Sequence, residues 1–126
     1  MATLLVVDDD NNIRETLCEL FAESHECHSA DRAEQALAFL EFENYDLIVT
    51  DLSMPGIDGQ QLLKRVQQTH PNTPVIVMSG EVSEEEGQSS VALGAFAYIT
   101  KPFRLEDVEA TVNRALASKA SSITAR

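Results

Sequence analysis

Three consecutive acids, Asp8, Asp9 and Asp10, follow the apolar run TLLVV at positions 3 to 7. Adjacent carboxylates repel by about 4 kcal/mol at ~4 Å in an effective dielectric of ~20, so three of them delivered to one spot call for a cation. A fourth acid, Asp51, follows the run DLIVT; Ser79 ends PVIVMS and Gly80 follows it; Thr100 ends FAYIT, with Lys101 and Pro102 next. Clustered carboxylate oxygens suit a hard divalent ion, and Mg²⁺ is commonly held by a few carboxylates and waters. A cation beside an ammonium and a hydroxyl is a donor set for a phosphoryl group, whose equatorial oxygens need neutralising while an oxygen nucleophile attacks phosphorus. Asp51, alone at the end of its run, is the candidate nucleophile, because an aspartate can form an acyl phosphate. Asp10 has a simpler reading as the cap of the helix that follows.

These residues act together only if the fold brings them together. TLLVV (3–7), ECHSA (26–30), DLIVT (46–50), PVIVMS (74–79) and FAYIT (96–100) read as five short strands. Between them lie helical stripes: Ile13, Leu17, Leu20 and Phe21; Ala33, Leu37 and Leu40; Leu62, Leu63 and Val66; and, after Pro102, Leu105, Val108, Val112 and Leu116. Asp31 with Glu34, Asp58 with Gln61, and Ser83 with Glu86 have the spacing of capping boxes at helix starts. The helix after Ser83 is the weakest, since Gly87 and two serines dilute it. Strands without polar alternation, separated by helices, predict an α/β fold: a parallel sheet with helices on both faces, in three layers. In such a sheet ligands bind beyond the carboxyl ends of the strands, where Asp8, Asp9, Asp10, Asp51, Ser79, Gly80 and Lys101 fall.

At 126 residues the chain is the size of one domain, with 44% hydrophobic and 24% charged residues, as in an ordinary globule. A net charge of −12 argues against direct binding to nucleic acid or an anionic membrane and favours a divalent cation or a basic partner surface. No apolar stretch is long enough to span a membrane and no leader pattern opens the chain, so the expected compartment is the cytoplasm. Cys18 and Cys27 sit in apolar segments without metal-ligand spacing and read as packing; His25, His28 and His70 share no ligand spacing either. The polar stretch from about Ser118 reads as a frayed tail, leaving a domain over 1–118 and a tail over 119–126.

Taken in order, Asp8-Asp9, DLSMPGIDG around Asp51, Ser79, and YITKPF at 98–103 resemble the receiver domain of two-component response regulators, from about residue 3 to 118. The resemblance implies a doubly wound, flavodoxin-like sheet of order 2-1-3-4-5. It implies a phosphorylation-dependent switch in which Asp51 takes a phosphoryl group from a phosphohistidine on a histidine kinase or phosphotransfer protein. It implies Mg²⁺ held by Asp9, Asp51 and the backbone carbonyl of Ser53, with Asp8 assisting. Lys101, joined to Pro102 by a cis peptide, would pair with the phosphoryl oxygens; Ser79, next to Gly80, would swing toward them, and Tyr98 would rotate inward. Without the resemblance Tyr98 reads equally well as packing. Ser53 and Glu81, each two residues past a site residue, would flank the phosphoryl group. Arg104 departs from the family pattern, standing where relatives carry a capping aspartate, with Glu106 and Asp107 left to serve the helix dipole.

The partners implied are an output domain or separate protein on the face of helix 4, strand 5 and helix 5, and a second copy of the phosphorylated chain. No output segment is recognisable after residue 118, which leaves open a stand-alone regulator and a domain of a longer protein. The receiver reading makes the chain no enzyme beyond assisting its own phosphorylation and dephosphorylation. The alternative is a Mg²⁺-dependent phosphohydrolase of the haloacid-dehalogenase type, with Asp8 as nucleophile and Asp10 beside it. Against it, DDDNN lacks the glycine and threonine expected next, and no acidic pair follows Lys101.

Overall fold

The computed structural model describes residues 2–54, 56–80 and 84–124. Strands β1 (Thr3–Val7), β2 (Glu26–Ala30), β3 (Leu47–Asp51), β4 (Val75–Gly80) and β5 (Ala97–Lys101) alternate with helices α1 (Asn11–Ala22), α2 (Ala33–Phe42), α3 (Gly59–Thr69), α4 (Glu84–Ala92) and α5 (Leu105–Thr124). The strands form one parallel sheet of order β2-β1-β3-β4-β5.

Successive side chains on a strand point to opposite faces, and both faces here are apolar. Leu5, Val7, Ile48, Val75 and Val77 pack with Leu40, Leu62, Leu63 and Val66 of α2 and α3. Leu4, Val6, Leu47, Val49, Ile76 and Met78 pack with Leu17 and Phe21 of α1 and Val108 and Val112 of α5. This two-sided burial is why the central strands carry unbroken apolar runs. β2 is an edge strand and only Ala30 of it is fully buried, which accounts for its weak sequence signal.

The local signals fix where the helices start. Asp10 caps α1, its side chain accepting the Asn12 and Ile13 N–H groups at 2.8 and 3.3 Å. Asp58 and Gln61 form a reciprocal capping box on α3. α2 departs from the expected box at Asp31 and Glu34. It starts one residue later, with Arg32 at the cap position and no side-chain cap. That shift puts Gln35 rather than Glu34 at the third helical position, and Gln35 Oε1 accepts the Asp31 N–H at 2.8 Å. α5 continues as helix through Thr124, past the boundary read at Ser118. Ser83, the expected cap of α4, lies outside the described residues.

Candidate functional site

Register brings the acids together. Val7 pairs with Thr50, so the next residue of each strand, Asp8 and Asp51, leaves the sheet side by side. The chain order reverses between β1 and β3, since β2 lies on one side of β1 and β3 on the other. The acids therefore sit at the crevice where doubly wound sheets bind ligands. On the other side of β3, Ser79 pairs with Thr100 and Gly80 with Lys101, which carries the lysine back toward the acids.

Lys101 Nζ lies 2.9 Å from Asp8 Oδ2 and 3.2 Å from Asp51 Oδ2. Asp8 is fully buried and Asp51 nearly so, whereas Asp9 is exposed. Asp8 Oδ1 accepts the Asp10 N–H at 2.9 Å, and Asp51 Oδ1 accepts the Ser53 N–H at 3.2 Å. The Lys101–Pro102 peptide is cis. Burial pushes the Asp8 carboxyl above its ordinary range, with Asp51's charge adding to it; the Asp10 hydrogen bond and the Lys101 ammonium only partly offset that. Burial also works against the Lys101 ammonium, but the Asp8 hydrogen bond and the Asp51 charge outweigh it and hold its pKa above the usual lysine value.

One carboxylate oxygen each from Asp8, Asp9 and Asp51 lie within 4.8 Å of one another. Three carboxylates against one ammonium leave a formal charge of −2, which a single divalent cation neutralises. The donor set is all oxygen, as Mg²⁺ prefers. Charge and chemistry therefore fit the ion.

The Ser79 hydroxyl is fully buried and finds no hydrogen-bond partner among the described residues. A buried unpaired hydroxyl costs about 1–3 kcal/mol, so its presence calls for a partner in another state. Gly80 adds no crowding, since a Cβ there would meet nothing within 4 Å. Tyr98 is partly buried and packs against the α2–α3 side of the core. Glu81 lies outside the described residues.

Two residues that sequence reasoning passed over help hold the site. Arg14 of α1 donates to the Asp8 backbone carbonyl at 2.7 Å and also bonds Asn11, fixing the strand end that carries the acids. Gly59, the first residue of α3, lies against the Asp51 backbone; a Cβ there would stand 2.3 Å from the Asp51 carbonyl oxygen and 2.7 Å from the Leu52 Cα. The aspartate–glycine pair that opens α3 was the available signal for Gly59. None existed for Arg14.

Strand order and rim together define a flavodoxin-like α/β domain with an acidic, lysine-bridged carboxyl edge. Its family is narrower: residues 4–113 match the response regulator receiver domain, and the chain belongs to that family. It is 38% identical over 112 residues to the DNA-binding transcriptional regulator NtrC of Salmonella typhimurium, a match covering 88% of this chain and 24% of that protein. The crystal structure of NtrX from Brucella abortus superimposes with a TM-score of 0.94 at 31% identity, covering 98% of this chain and 29% of that one. A response regulator receiver domain protein from Clostridium thermocellum gives 0.88 at 27% identity, covering 95% and 98% of the two chains. The chain thus spans about a quarter of the NtrC relatives it matches. The family match gives no support to the haloacid-dehalogenase alternative. Among the described residues no helix is long and apolar enough to cross a membrane.

Proposed function

We propose that this receiver domain, residues 1–118, works as a cytoplasmic switch by accepting a phosphoryl group on Asp51 from a phosphohistidine of a histidine kinase or phosphotransfer protein. An Asp51 carboxylate oxygen attacks phosphorus, the donor P–N bond breaks, and the departing imidazole keeps the electron pair. The observation that carries this reading is the Asp51 carboxylate at the sheet's switch point, 3.2 Å from Lys101, with the unpartnered Ser79 hydroxyl on the neighbouring strand.

Asp8, Asp9, Asp51 and the Ser53 carbonyl would hold Mg²⁺, which when bound neutralises carboxylate and phosphoryl charge alike. Lys101 follows the phosphoryl oxygens, and Ser79 gains an acceptor for its hydroxyl. Each such charge-assisted bond is worth about 1.5–3 kcal/mol, against the ~5.5 kcal/mol needed to move a two-state equilibrium from 1:99 to 99:1. The two contacts are just sufficient for a switch. Tyr98 rotates inward as Ser79 moves, and Ser53 flanks the phosphoryl group.

The readout surface is the α4–β5–α5 face, where an output domain, a separate protein or a second phosphorylated copy would dock. Val91 at the end of α4, Leu93 just after it and Leu105 at the start of α5 support this, being large apolar side chains 38–46% exposed. The chain would assist only its own phosphorylation and dephosphorylation, with no external substrate turned over. The relatives' name, a DNA-binding transcriptional regulator, suggests a nucleic-acid output carried by another domain, since this one is acidic.

Incubation with acetyl phosphate and Mg²⁺, read by intact mass, tests the assignment. One phosphoryl adduct on the wild-type chain and none on Asp51→Asn is the expected result. An adduct that survives Asp51→Asn but disappears in Asp8→Asn would put the nucleophile on β1 and refute it.

A further inference from the structure

Cys18 and Cys27 read from sequence as separate packing residues, yet the fold sets their sulfurs 2.8 Å apart, Cys18 on α1 and Cys27 on β2. From that separation an S–S bond of about 2.05 Å needs little movement of either element. Both thiols are free and only partly buried, so a small oxidant can reach them. Both lie on the α1–α5 side of the sheet, at the margin of the core, and both face the His28 carbonyl.

We propose that Cys18 and Cys27 are a thiol redox site, converted by a hydroperoxide into an intramolecular disulfide that joins α1 to the edge strand β2. The site is separate from the acidic rim and does not depend on the reading of Asp51. In the first step the Cys18 thiolate attacks one peroxide oxygen, the O–O bond breaks, and the hydroxide released takes the proton that Cys18 gave up. In the second step the Cys27 sulfur attacks the resulting sulfenic sulfur, the S–S bond forms, the S–O bond breaks, and the departing hydroxide leaves as water with the Cys27 proton. Two thiols and one hydroperoxide give one disulfide, one water and one further water or alcohol.

The electrostatics give the two sulfurs different parts. The hydrogen bond from Cys27 draws the Cys18 thiol down, and the nearby Arg14 guanidinium adds to this against the opposing effect of burial. The same hydrogen bond, with burial, pushes the Cys27 thiol up. The Arg14 guanidinium acts on Cys18 alone, which makes Cys18 the sulfur prepared to attack, with Cys27 beside it to close the bond. α1 carries Arg14, which holds the Asp8 carbonyl, so the bond would fasten to the sheet edge the helix that braces the acidic strand end.

The test uses the whole chain treated with one equivalent of hydrogen peroxide, then alkylated and digested with a glutamate-specific protease. Glu19, Glu23 and Glu26 lie between the two cysteines, so cleavage separates their peptides unless a disulfide holds them. The expected result is a linked peptide pair lacking two hydrogens, protected from alkylation, released by dithiothreitol, and absent from Cys18→Ser and Cys27→Ser. In Cys27→Ser the Cys18 sulfenic acid should accumulate and be trapped by dimedone. Separate peptides with both thiols alkylated, sulfinic acid in place of the link, or a disulfide found only between two chains would overturn the proposal.

Discussion

Lys101 reaches 93 residues back along the sequence to place its ammonium 2.9 Å from the buried carboxylate of Asp8. It simultaneously stands 3.2 Å from Asp51, so one cation bridges the ends of β1 and β3 from β5. The site is thus held together, before any ligand arrives, by a lysine that is itself outnumbered by carboxylates.

Asp8 is charged at a cost. Its folded pKa is raised by burial, so the folded state holds its proton more tightly than the unfolded chain does. Stability from this group therefore falls as pH rises from the ordinary carboxyl value through the raised one. Asp8→Asn should raise the melting temperature of the metal-free domain at pH 7, while weakening Mg²⁺ binding on the order of 10–100-fold, a loss that even outer-shell changes can cause. Thermal melts and calorimetric titration read the two effects; a lower melting temperature with intact Mg²⁺ affinity would contradict them.

Lys101 shows the opposite dependence. Its folded pKa lies above the ordinary lysine value of 10.5, so its contribution is complete below that pH and is lost as pH climbs through the higher folded value. Lys101→Met leaves two carboxylates without their cation and should destabilise the domain at pH 7 by about 1.5–3 kcal/mol. Denaturant unfolding at pH 7 and above pH 10.5 should show the gap between wild type and variant narrowing in alkali.

Ser79→Ala removes a buried hydroxyl that has no partner among the described residues. The unphosphorylated domain should gain about 1 kcal/mol, at the low end of the cost of an unsatisfied buried group. Beryllofluoride with Mg²⁺ should shift amide signals on α4, β5 and α5 in the wild type and only near the acidic rim in the variant. Equal shifts in both would remove Ser79 from the switch.

Gly59→Ala tests packing alone. The added methyl would lie 2.3 Å from the Asp51 carbonyl, against backbone that cannot swing aside as a side chain would. The expected loss is about 1–3 kcal/mol, as for other overpacked sites, measurable as a lower midpoint in urea. A neutral result would mean that the start of α3 moves freely relative to Asp51.

How much of this was legible in the sequence follows from how each contact arises. A parallel sheet puts every strand's carboxyl end on one edge, so reading the strands already gathered Asp8, Asp9, Asp51, Ser79 and Lys101 there. Capping at Asp10 and Asp58 was legible because it depends on residues two or three apart. α2 starts one residue past the place its Asp31–Glu34 spacing predicts, since Asp31 and Arg32 both precede the apolar stripe and neither spacing excludes the other. Contacts between elements carry no periodic signal. Arg14 on the Asp8 carbonyl, Gly59 under Asp51, and the two cysteine sulfurs side by side arise only when a helix settles on the sheet.

Borohydride trapping asks most directly where the phosphoryl group goes. Hydride reduces an aspartyl phosphate to the alcohol, converting the acceptor into homoserine, which peptide sequencing by mass locates. After acetyl phosphate and Mg²⁺, homoserine should occur at position 51 alone and vanish when the metal is chelated. Homoserine at position 8, or none anywhere under conditions in which Mg²⁺ is bound, would contradict the account.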